Sequence, residues 1–82
     1  MYVHIGKDTV ILLKEIIIIL NLEKSLKNNN IEDILKNLNI EKNIINISEN
    51  NNKSLIIIKR KEKLIGYITN ISSITLEKRI QK

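Results

Sequence analysis

At 82 residues the chain has room for one small domain, near the size at which a single core only just offsets chain entropy. Hydrophobic residues make up 43% and charged residues 28%, a globular balance rather than a disordered one, and the lack of cysteine excludes disulfides and thiolate metal sites. The net charge of +5 is held unevenly: residues 53 to 82 carry eight cations against two carboxylates, whereas residues 1 to 52 carry six lysines against seven carboxylates.

Clustered like charge repels itself and calls for generous solvation or a polyanionic partner. Along the chain, Tyr2 to Ile5 alternate weakly, Gly6-Lys7-Asp8 supply turn chemistry, and Thr9 to Leu13 are β-branched or apolar, so a hairpin is predicted. The block Ile16 to Leu20 is apolar on both faces, which predicts either the central strand of a sheet or a strand buried between subunits. The longer run Val10 to Leu22 is interrupted by Lys14 and Glu15 and is too short to span a bilayer. Nothing at the start resembles a secretory leader, so a soluble, cytoplasmic protein is expected.

Ile31, Ile34, Leu35 and Leu38 fall at helical spacing, predicting a helix from an Asn30 cap to about Asn39, with Glu32 and Asp33 near its positive end. Ile44 to Ser48 reads as a short edge strand, and the tracts Asn28 to Asn30 and Asn50 to Asn52 read as loops. Ser54 to Lys59 and Leu64 to Ile68 form a second hairpin across a turn at Arg60 to Lys63. Gly66 inside its second strand predicts a bulge or a close backbone approach. Ser72 or Ser73 then caps a helix from about Ile74 to Gln81, with Ile74, Leu76 and Ile80 as its apolar surface and Lys78, Arg79 and Lys82 toward its negative end. The pattern as a whole predicts an α+β fold, a small β-rich domain of about five strands and two short helices spanning residues 1–82.

The chemical inventory is thin. His4 is the sole histidine and has no organised partner for acid–base work, the serines fall in loops or caps, and the two glycines are isolated rather than part of a phosphate-binding loop. No enzyme, metal site, cofactor or small-molecule substrate is therefore expected. Two tyrosines are too few for extensive stacking on single strands, so any nucleic acid would be held through its backbone. The candidate phosphate contacts are Lys53, Lys59, Arg60, Lys61, Lys63, Lys78 and Arg79; the alternative is that the same cations solvate a hairpin tip and satisfy a helix end. A protein-interaction module docking a partner through its apolar strand is the competing reading. A membrane adaptor is disfavoured because the basic C-terminal helix is short and weakly apolar.

Two blocks carry a family likeness. The opening Tyr2-Val3-His4-Ile5-Gly6, with the apolar segment reaching Leu20, and the closing Lys53-Ser54-Leu55-Ile56-Ile57, Leu64-Ile65-Gly66-Tyr67-Ile68 and Ser72-Ser73-Ile74-Thr75-Leu76-Glu77-Lys78-Arg79 resemble the Rem family of bacterial extracellular matrix regulators. The Tyr-x-His-x-Gly start is closer to the RemB than to the RemA branch. The resemblance implies a cytoplasmic protein that binds double-stranded DNA, forms homo-oligomers and activates biofilm-matrix genes. RemA-type arginines would fall at about Asn50 and Asn51 and at Glu15, so the contact list above rests on the charge map and not on the family.

Overall fold

The computed structural model describes residues 1–22, 30–48 and 51–81. Its six strands lie in two sheets: β1 (Tyr2–Gly6) and β2 (Thr9–Leu12) form an antiparallel pair, and β3 (Ile16–Asn21), β4 (Ile44–Asn46), β5 (Ser54–Arg60) and β6 (Lys63–Thr69) form a sheet in the order β3-β5-β6-β4. Two α-helices accompany them among the described residues, α1 (Asn30–Leu38) and α2 (Ser73–Ile80). The expected α+β class is thus the observed one, with the short strand at Ile44–Asn46 counted in full.

β5, one of the two inner strands of this sheet, carries both cores. Ser54 to Ile58 are all buried, and their side chains alternate between two cores, as a strand covered on both faces requires. Ile56 and Ile58 point toward the β1–β2 hairpin and α2, where they meet Val3, Ile5, Ile11 and Leu76. Leu55 and Ile57 point the opposite way, toward Leu22 and Ile40 with Leu35 of α1 packed alongside. One seven-residue strand therefore supplies both hydrophobic layers, and it is here that most of the burial per residue is gained.

The isoleucine block is placed differently from the expectation of a central strand. Among the described residues β3 pairs only with β5 and forms one edge of the sheet. A bulge explains how an edge accommodates it: Ile16 lies opposite Ile58 and Ile18 opposite Ile57, so Ile17 is an extra residue outside the ladder. Ile16 and Ile19 pack on the hairpin side, Leu20 on the other, and Ile17 and Ile18 remain 55% and 41% exposed.

Gly66 shows the close approach and no bulge, since both of its strand neighbours keep register through it. A Cβ there would lie 2.6 Å from Ile44 Cδ1 and 3.2 Å from Leu55 Cδ1, so the missing side chain is what lets β4 run against β6. In α1, Leu35 is half-buried as the spacing predicts, but Leu38 is exposed. Asn30 is the first residue of the helix, and Asn28, Asn29 and Asn50 lie outside the described residues. At α2, Ser72 is the N-cap and its Oγ accepts from the Thr75 backbone N–H at 3.2 Å. Leu76 is fully buried and Ile80 half-buried, whereas Ile74, expected on the same surface, is 63% exposed.

Candidate nucleic-acid interface

The basic turn is built by strand register. β5 and β6 pair without interruption from Ser54 opposite Thr69 to Arg60 opposite Lys63, leaving Lys61 and Glu62 as a two-residue loop. Both loop residues have positive φ, 50° and 67°, which is the primed turn that suits the twist of a hairpin. Lys and Glu are poor residues for that backbone region compared with Asn-Gly, so the turn carries its charge at a conformational cost.

The tip runs past the strands on either side, with the 3-10 turns Leu13–Glu15 and Glu41–Asn43 beside it. β3 first meets β5 at Ile58, and β4 first meets β6 at Gly66, so the ribbon from Lys59 to Leu64 extends past both flanking strands. Alternation then sends its cations to different sides. Lys59 follows Leu55 and Ile57 on the α1 side, while Lys63 lies opposite Arg60 on the hairpin side, and Lys61 is at the apex. All three lysines are exposed.

Arg60 is in a different state from these lysines. Its Nε donates to Glu15 Oε2 at 2.8 Å and its Nη2 to Glu15 Oε1 at 3.0 Å, a two-pronged ion pair across 45 residues of sequence. Glu15 sits in the single 3-10 turn Leu13–Glu15 that joins the hairpin to β3, and its Oε1 also accepts the Leu12 backbone N–H at 3.2 Å. Hydrogen bonds from Arg60 outweigh partial desolvation and hold the Glu15 carboxyl at about 2, below its ordinary 4.5. The same bonds raise the Arg60 guanidinium still further above neutrality.

The remaining candidates are not gathered at this tip. Lys53 precedes β5 at its far end, roughly 20 Å along the strand from Lys59 at about 3.3 Å per residue. Its backbone is tied into the sheet there, with its N–H donating to the Thr69 carbonyl at 2.9 Å. Lys78 is exposed on α2, and Arg79 is half-buried beside β1. The structure therefore brings together Lys59, Arg60, Lys61 and Lys63 and leaves Lys53, Lys78 and Arg79 elsewhere. Glu15 is the residue at this tip that charge counting misses, because its partner Arg60 is distant in sequence and shares no periodicity with it.

Among the described residues, no group of three or more His, Asp or Glu side chains converges where a metal ion could sit, and no helix is long and apolar enough to cross a membrane. No protein-family model, curated protein or solved structure matches the chain.

Proposed function

We propose that this protein is a homo-oligomeric, cytoplasmic transcriptional regulator that grips the backbone of double-stranded DNA, and that its targets are extracellular-matrix genes. The observation that carries the reading is the projecting β5–β6 tip, with Lys59 and Lys63 on opposite sides of the ribbon and Lys61 at its apex. A two-stranded ribbon fits a major groove about 12 Å wide, and cations on both sides of it can address the two phosphate walls. Such contacts position a duplex without reading its bases. The gene class rests on the resemblance to the Rem family.

One subunit offers few contacts, so repetition around an assembly would turn weak phosphate binding into useful avidity. The exposed apolar pair Ile17 and Ile18 on the edge strand β3 is the surface that supports self-association. The same edge favours a second reading, an interaction module that takes up a different polypeptide as an added strand.

A salt-titrated duplex-binding assay combined with light scattering separates the two. The first reading expects an oligomer whose affinity falls steeply with salt, and the K59Q/K61Q/K63Q triple variant should lower the log–log slope by roughly 2.7, at about 0.9 per phosphate. A monomer indifferent to duplex at low salt would leave only the interaction module standing. Loss of matrix-gene reporter activity in the same triple variant tests the gene class.

A further inference from the structure

We infer that Glu15 sets how many phosphates the basic tip engages, by occupying the Arg60 guanidinium as an internal counter-anion so that Lys59, Lys61 and Lys63, and not Arg60, contact the duplex backbone. This rests on the DNA-binding reading and refines its site.

Three observations carry it. The carboxylate takes the Nε and Nη2 edge of Arg60 with both oxygens, the same forked geometry that a phosphate would use. Glu15 is itself anchored: its side chain is 11% exposed and it also accepts from the Leu12 backbone, so it does not swing away freely to yield its place. A phosphate approaching Arg60 would meet an adjacent fixed negative charge, whereas the exposed lysines on either side have only Glu62 as a nearby acid on the turn itself. The pair thus converts the most strongly phosphate-seeking side chain of the tip into a brace between the hairpin and the sheet.

Removing Glu15 alone should release Arg60 as an additional ligand. Removing both partners should leave the net charge and the duplex contacts as they were. The test is fluorescence anisotropy of a labelled duplex across a salt series with wild type, E15Q, the charge-balanced double variant E15Q/R60Q, and K61Q, each first checked for native circular dichroism. The expected result is that E15Q binds several-fold more tightly with a slope steeper by about 0.9, that E15Q/R60Q matches wild type, and that K61Q loses about 0.9.

A double variant that loses a full contact relative to wild type, or an E15Q slope equal to that of wild type, overturns the inference while leaving DNA binding intact. Should E15Q fail to fold, the Arg60 Nε–H resonance of the wild-type protein decides the matter. An unmoved signal on duplex addition supports the brace, and a shifted one sinks it. If neither wild type nor K61Q shows salt-dependent binding, the DNA-binding reading falls, and this inference with it.

Discussion

Arg79 of α2 donates from Nη1 to the carbonyl oxygen of His4 in β1 at 2.8 Å, strapping the last helix to the first strand. The imidazole is set to receive the same group. Its Nε2 faces the Lys7 carbonyl and so carries the proton, which leaves Nδ1 as an acceptor 3.5 Å from that nitrogen. Arg79 is thereby a structural tie as well as a surface cation. R79Q is expected to lower stability by about 1 kcal/mol and to speed amide exchange in the last turn of α2. An unchanged urea midpoint with unchanged exchange would show that the strap contributes nothing in solution.

The two glycines differ in how a methyl group would be received. Gly6 has φ +138°, where L-residues are strained, and a Cβ there would lie 2.7 Å from Thr69 Oγ1. At Gly66 the nearest atom is the tip of the Ile44 side chain on the three-residue edge strand β4, which can shift outward. G6A should therefore cost about 2–3 kcal/mol and G66A about 1–2 kcal/mol. The order of the two thermal midpoints is the check, with reversal of that order as the contrary result.

Relief of the turn strain should separate stability from binding. Replacing Lys61 and Glu62 by Asn and Gly provides residues at ease with positive φ, so the K61N/E62G variant is expected to gain about 1–2 kcal/mol. If Lys61 is a phosphate contact as proposed, it should also bind duplex with a slope lower by about 0.9. Chemical denaturation and the salt series together measure both effects. A simultaneous loss of stability would mean that these side chains make contacts worth more than the strain.

Acid stability should report Glu15. Its carboxyl titrates near 4.5 when unfolded and at about 2 in the fold, so its contribution is complete above 4.5 and fades as pH falls toward 2. Arg60 remains protonated throughout and adds no step of its own. E15Q should differ most from wild type above that window and converge on it at the acid end. Because Arg60 is 42% exposed, added salt should reduce the difference. Parallel stability curves from pH 5 to pH 2, at roughly constant separation, would contradict the linkage.

What could be read from residues alone was local. The β5–β6 hairpin, its cationic turn and the serine cap of α2 all depend on neighbours within a few positions, where period-two alternation and turn chemistry are strong signals. At Gly66 the same kind of signal allowed a bulge or a close approach, and the close approach is the one observed. Of the two placements that the apolar faces of the isoleucine strand allowed, the central one is not observed, because the bulge at Ile17 lets an edge strand serve both sides and leave one residue out. The Glu15–Arg60 and His4–Arg79 contacts span 45 and 75 residues. No repeat links their partners, so only the folded topology reveals that two of the seven cations are already engaged.

The loop of Lys61 and Glu62 is the shortest closure in the four-stranded sheet, so its ends should meet at small entropic cost and early in folding. Such a step would gather Lys59, Arg60, Lys61 and Lys63 before Glu15, 45 residues from Arg60 in the chain, is in place. Mutual repulsion among them should slow nucleation, and mobile ions that screen it should quicken refolding. The solvent that would best help this chain to fold is then the one in which the proposed grip on DNA would be weakest.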